Sequence, residues 1–376
     1  MFRPFVQAPP MSADWWDGLK GPLRALSGAM WALVLGAGLS GCGLGYYAQS
    51  VGGHLDLMQR ARPVEQWVAD PATPAALRER LVLAQRLRAF ATDELKLPDN
   101  ASYRRFAELD RSAVVWNVVA TPELSLTLQT WCFPVMGCVG YRGYFQRAPA
   151  DQLAAELRAQ GLEVSVYGVP AYSTLGWTNW LGGDPLLSTF IRWPESELAR
   201  LLFHELAHQV VYVAADTAFN ESFATAVERL GLQRWLYSAG AAAQQEAAAL
   251  EARRRDFRRI TAQARGDLQA LYRSRLAPDA IRERKAERLQ RLRDEHASLK
   301  AGPWQGFAGY DAWFAQLNNA ALAVQGAYED LVPAFEALFE RQGRDFTRFY
   351  AEVRRLAALP AGERRAALLA ASKEKP

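Results

Sequence analysis

Histidine, cysteine and methionine are scarce in this sequence: four, three and five among 376 residues. With so few, the position of each one carries information. Charge of one sign is also missing, because 44 basic side chains stand against 40 acidic ones and leave a formal +4. That balance excludes nucleic acid as a partner, which calls for an excess of basic residues along one face. Nor does any apolar run reach the roughly 20 residues that span a bilayer. Internal repeats and low-complexity linkers are absent as well. What is abundant is core material, with 50% of the residues hydrophobic and 22% charged. So apolar a chain can bury enough surface to fold, which excludes an intrinsically disordered protein. Its length leaves room for two or three domain-sized units.

The amino-terminal segment has the order of an export signal. Lys20 and Arg24 precede an apolar run from Ala25 to Leu39, which ends at Leu39-Ser40-Gly41-Cys42. A basic segment, a short apolar segment and a small-residue cleavage site make a secretory signal. The Leu-Ser-Gly-Cys ending resembles the bacterial lipobox, whose cysteine is acylated and becomes the first residue of the mature protein. The expectation is a signal peptide over 1–41 and lipidation at Cys42, with an uncleaved membrane anchor as the alternative. The protein would then be lipid-anchored in the cell envelope, facing the periplasm. Export bears on the other two cysteines: Cys132 and Cys138 flank Phe-Pro-Val-Met-Gly, and in an oxidising compartment such a pair is expected to form a disulfide.

Periodicity divides the rest. Residues 43–62 are rich in Gly and Tyr, and Val64 to Lys96 has the three-and-four apolar spacing of a helix. Ala113 to Val119 and Leu124 to Leu128 are strand-like, the second strictly alternating. A helix is expected from Ala150 to Gln160, a strand over Leu162 to Tyr167 and a short apolar strand from Leu186 to Trp193. From Pro194 onward nearly everything reads as helix. Two long polar-faced helices over 241–300, broken at Ala277-Pro278-Asp279, form an antiparallel hairpin. Its arginines alternate with Glu and Asp, as on a solvated face. Two amphipathic helices around Pro333 and Gly343 and a terminal helix from Pro360 follow. The fold class is α+β, predominantly α. A zincin-like domain over 42–240 and 301–376 would carry a small antiparallel sheet over its active helix, with 241–300 as a helical hairpin insertion.

Two of the four histidines fall in His204-Glu205-Leu206-Ala207-His208. Pro194, Glu195 and Glu197 suit a helix start, and Leu198, Leu201, Leu202, Leu206 and Val210 supply its apolar stripe. On that helix His204 and His208 are one turn apart and face the same way, so both can ligate one ion. Glu205 is then placed to act as general base and acid on a water activated by the metal, the arrangement of zinc peptidases. Zn2+ is the expected cofactor, though other divalent ions accept the same donors.

A third ligand is needed, and Asp216, Glu221 and Glu228 are the candidates. Metzincin spacing is excluded, since Val211 and Ala214 stand where that class has Gly and His. The block Asn220-Glu221-Ser222-Phe223-Ala224 resembles the Asn-Glu-x-Phe-Ala element of gluzincin aminopeptidases, which implies Glu221 as the ligand. The 12 residues between His208 and Glu221 are fewer than gluzincins usually have. Asp216 keeps the alternative of the aspartate-liganded zincins, and Glu228, with Asn220, is expected in the layer behind the ligands. Tyr212, Tyr310 and Tyr328 are candidate oxyanion donors, Tyr328 being preferred. Leu186 to Ile191 is the candidate edge strand for a peptide substrate. His54 and His296 read as non-ligands.

Taken whole, the sequence resembles the bacterial family of predicted aminopeptidases, exported lipoproteins of this length. The resemblance rests on Cys42 to Tyr47 with Gly53-His54-Leu55, on Cys132 to Phe145, and on Asp184-Pro185-Leu186-Leu187-Ser188-Thr189. His204 to Gln209, Asn220 to Gly231 and Asn318-Asn319-Ala320 complete it. It implies a membrane-anchored zinc aminopeptidase acting on peptides. Two other functions stay open: an endopeptidase acting on envelope or unfolded proteins, and an envelope scaffold with structural zinc whose 241–300 hairpin docks a protein partner.

Overall fold

Ala, Leu, Glu, Gln and Arg dominate the second half of the chain, and all are strong helix formers. Among its described residues the computed structural model is accordingly 61% helix with three small sheets, an α+β architecture that is predominantly α. It describes residues 43–133, 137–171, 174, 182–214, 216–325 and 331–373. The expected signal at 1–41, Cys42 and Tyr328 lie outside these residues. Residues 53–376 belong to one compact unit. No described helix is long and apolar enough to cross a membrane.

In chain order the elements are α1 (Gly43–Arg60), β1 (Arg62–Pro63), α2 (Val64–Ala69), α3 (Ala75–Asp93), β2 (Arg105–Ala107) and β3 (Val115–Pro122). Next come β4 (Trp131–Phe133), β5 (Gly137–Val139), β6 (Arg142–Tyr144), α4 (Arg147–Ala159), β7 (Leu162–Val169) and β8 (Leu186–Leu187). The helical half follows as α5 (Glu195–His208), α6 (Thr217–Ser238), α7 (Ala241–Tyr272), α8 (Pro278–Ala301), α9 (Asp311–Ala315) and α10 (Asn319–Val324). It ends in α11 (Val332–Arg341), α12 (Phe346–Ala357) and α13 (Ala361–Lys373).

Several expectations needed adjustment, each for a local reason. The single helix expected over 64–96 is two, α2 and α3, because Pro71 and Pro74 cannot donate to a continuing helix. The Gly- and Tyr-rich stretch is largely helical, as α1. Leu124 to Leu128 alternates but forms no strand. The side chain of Asn319 takes the Glu123 and Ser125 carbonyls at 2.8 and 3.1 Å, leaving those two groups outside any ladder. The strand expected from Leu186 shortens to the two residues of β8, after which Ile191 N–H bonds back to Leu187 O in a helical turn.

The larger antiparallel sheet has order β6-β3-β7, with Val115 opposite Val169 and Pro122 opposite Leu162. A second sheet, β1-β2-β8, pairs β2 with β8 in parallel, so it is mixed where an antiparallel sheet was expected. The third is the β4–β5 hairpin, closed by a disulfide between Cys132 and Cys138, both exposed. The hairpin expected over 241–300 is present as α7 and α8, with Pro278 in the first turn of α8. Phe257, Ile260, Leu268, Leu292 and Trp304 give it a core of its own with Phe314 and Leu322.

The main core gathers Leu81 and Leu87 of α3, Leu198, Leu202, Phe203 and Leu206 of α5, Phe219 and Phe223 of α6, and Phe335, Phe349 and Tyr350. Each fully buried side chain of this size contributes about 1.5–3 kcal/mol. Gly231 allows α6 to lie close to α5: a Cβ there would stand 2.6 Å from Leu95 Cδ1 and 2.9 Å from Phe203 Cδ2. A Gly231→Val substitution is therefore expected to lower the unfolding free energy by about 1–3 kcal/mol through overpacking. Urea unfolding measures this, and an unchanged midpoint would show that the two helices do not approach so closely.

Candidate metal centre

Helix α5 starts at Glu195 with Pro194 as its N-cap, one position earlier than a first-turn proline. Its buried face carries Leu198, Leu202, Phe203, Leu206 and also His208, which is 5% exposed. A connection over 209–216 leads into α6. Asp216 caps that helix, accepting from Phe219 N–H at 3.1 Å, and its other oxygen pairs with Arg364. These contacts use the carboxylate, and Asp216 is not in the cluster of candidate ligands. Asn220, 1% exposed, pins the connection by accepting from Val213 N–H and donating to Val213 O, both at 2.8 Å. The start of α6 is thereby held against the end of α5.

This clamp brings His204, His208 and Glu221 together; their ligand atoms lie within 4.8 Å of one another. His204 Nε2 and His208 Nε2 are 3.2 Å apart. Glu221 Oε2 is 3.3 Å from His204 Nε2, and its Oε1 is 3.6 Å from His208 Nε2. Tetrahedral ligands with bonds of about 2.0–2.2 Å stand about 3.3–3.6 Å apart, so the three donors fit one such ion. The group can bind a metal. A different feature supports the same fit: two imidazole nitrogens facing each other beside a carboxylate need a shared cation, either a proton or a metal.

Without a metal the proton takes that place. Burial pulls the His204 pKa down, but its hydrogen bonds to the Glu221 and Glu228 carboxylates outweigh it and hold it well above the ordinary histidine value. Burial and the charge on His204 push His208 down to about 4. Its Nδ1 is buried with no hydrogen-bond partner among the described residues. For Glu221, burial acts upward, yet His204 and His208 bring the carboxyl below the ordinary value. Glu228 is likewise raised by burial and then brought to about 2 by His204 and Arg200.

Glu228 stands behind the triangle. Its Oε2 meets His204 Nδ1 at 3.2 Å, and its Oε1 accepts from Arg200 Nη1 at 2.6 Å. Arg200 did not emerge from the sequence, although an arginine one turn before His204, on the side of the helix that carries the buried Phe203, was a signal of a buried charge needing a partner. Glu205 is half-buried beside His204, and its charge acts on that imidazole. Among the tyrosines, Tyr212 lies 6.2 Å from the His208 ring and is 52% exposed. Tyr310 stacks on Phe257 at 4.3 Å, in the second core. His296 stacks on Phe314 at 3.8 Å and lies 3.4 Å from Asp311. Among the described residues, neither His54 nor His296 belongs to a cluster able to hold a metal.

The family model described as "Putative aminopeptidase" matches residues 45–368. The chain belongs to that family. The matched span contains α5, α6 and the whole hairpin. No curated protein and no solved structure matches the chain significantly.

A metal held by these donors would compete with the proton for His204. Zinc binding near neutral pH is expected to release about one proton per ion and to weaken as pH falls, because the raised pKa keeps His204 protonated. Calorimetric titrations in two buffers of different ionisation enthalpy measure that number; no release would remove His204 from the ligand set. A Glu228→Gln variant is expected to bind zinc about 10–100-fold more weakly, since it no longer fixes the His204 ring as firmly.

Proposed function

We propose that the protein is a zinc-dependent aminopeptidase with a zincin-like centre of gluzincin type. One observation carries the reading: the His204, His208 and Glu221 donors stand at tetrahedral spacing between α5 and α6, and on α5 Glu205 follows the first histidine. Membership of the putative aminopeptidase family supports a peptidase and, through its description, the preference for amino ends. When bound, zinc supplies Lewis acidity that polarises the scissile carbonyl and makes water a nucleophile near neutral pH.

The chain's own residues do the rest. His204 and His208 hold two neutral nitrogens in place, and Glu221 brings one negative charge. Glu205 takes the proton from the attacking water as the new C–O bond forms. It then gives that proton to the leaving nitrogen as the C–N bond breaks. Glu228 keeps the His204 ring oriented. For the oxyanion donor this reading keeps Tyr328, which lies outside the described residues, and Tyr212, whose ring is 6.2 Å from that of His208. Strand β8, two residues long, is at an edge of its sheet, where an extended peptide could add as a further strand. The Leu39-Ser40-Gly41-Cys42 segment supports anchoring by a lipid at Cys42 on the periplasmic face of the envelope.

A Glu205→Gln variant is expected to keep its zinc and lose at least about 100-fold in kcat on a mixture of unblocked peptides. Equal rates at equal zinc content would end the proposed mechanism. Acetylating the substrates' amino ends should abolish cleavage, and undiminished cleavage of the blocked peptides would make the enzyme an endopeptidase.

A further inference from the structure

The first hairpin helix reaches into the surroundings of the metal centre. Arg200, whose side chain is 10% exposed, is gripped at both ends: Nη1 donates to Glu228 at 2.6 Å and Nη2 to Glu251 Oε2 at 2.7 Å. Glu251 lies on α7 and is held in turn by Arg254 Nη1 at 3.1 Å and Arg258 Nη2 at 3.0 Å. Arg254 returns to α5 through Glu197. Three arginines and three glutamates thus form a line from α7 to the back of His204, with the charges balanced within it.

We infer that Glu251 is a positioning residue for His204, acting through Arg200 and Glu228. This rests on the reading of His204 as a zinc ligand. A guanidinium is planar and rigid, so carboxylates on two of its nitrogens fix its plane. With Glu251 gone, Arg200 keeps one of these two anchors, Glu228 can turn with it, and the His204 ring loses its defined direction. The hairpin has its own apolar core around Phe257, Ile260 and Leu292. Glu251 is therefore not needed to keep the two hairpin helices together, which leaves its effect on Arg200 as the consequence to measure. On this view α7 is part of what sets metal affinity.

The test titrates zinc alone into the metal-free full chain against a competing chelator, with melting temperatures recorded for every variant. Glu251→Gln is expected to weaken zinc about three- to tenfold, one link further out than Glu228→Gln. The double variant should bind no more weakly than Glu228→Gln alone, because both act along one line. Glu251→Asp, which keeps the charge but shortens the reach to Arg200, must shift affinity in the same direction. Asp267→Asn removes the partner of Arg288 at 2.7 Å within the hairpin and should leave zinc affinity unchanged. Wild-type affinity in Glu251→Gln, fully additive losses in the double variant, or an equal loss in Asp267→Asn would overturn the inference. A wild-type chain that binds no zinc would overturn the zinc reading and this inference with it.

Discussion

Two imidazoles and two carboxylates are packed together between α5 and α6, and each would be costly to bury alone. Their mutual compensation is the constraint on which the site depends. Glu221 and Glu228 offset a charge at His204 from its two ring nitrogens, and Arg200 offsets the second carboxylate from behind. Because a histidine at the centre of such a group is held by acceptors on both sides, its ring has one orientation. That orientation points Nε2 at the same spot as His208 Nε2 and the Glu221 carboxylate. The metal-binding geometry is thus a by-product of how the helix pair solves its own electrostatics.

Packing makes that solution possible. The absence of a side chain at Gly231 lets α6 approach Phe203, and the Asn220 clamp fixes the connection over 209–216. Asp216 sits at the helix start and serves it as a cap, so a residue with the right chemistry for a ligand is held by backbone and Arg364. The short spacing between His208 and Glu221 is accommodated because α6 begins almost at once after α5 ends. The Glu221 carboxylate, in the second turn of α6, then stands opposite His204 and His208 near the end of α5.

The proposed function is chemically economical. Three donors would leave a position open for substrate or water, which is what a catalytic centre needs and a structural one does not. In that proposal Glu205 adds a base beside the first histidine. The long hairpin, which by its charge pattern reads as a solvated arm, joins the site through Glu251 and also packs on the sheet side, where Lys285 and Asn319 meet Glu163.

Much of this was legible in the order of residues. The apolar stripe of α5 and the spacing of His204 and His208 depend only on helical periodicity, as does the Pro278 break in the hairpin. The partnership of Cys132 and Cys138 was legible too, since only five residues, Pro and Gly among them, separate two cysteines of a chain expected to be exported. Alternation at Leu124 to Leu128 misled, because a strand exists only where a neighbour offers its backbone, and the Asn319 side chain took the carbonyls instead. Leu186 to Ile191 shortened for a similar reason: past Leu187 the chain curls into a turn. Arg200 and Glu251 were the residues that local pattern could not pair. They lie 51 positions apart, and an ion pair over that separation is decided by where two helices cross. Local spacing determined that His204 and His208 share one face of a helix; the crossing of α5, α6 and α7 decided which carboxylate stands beside them and which charges stand behind.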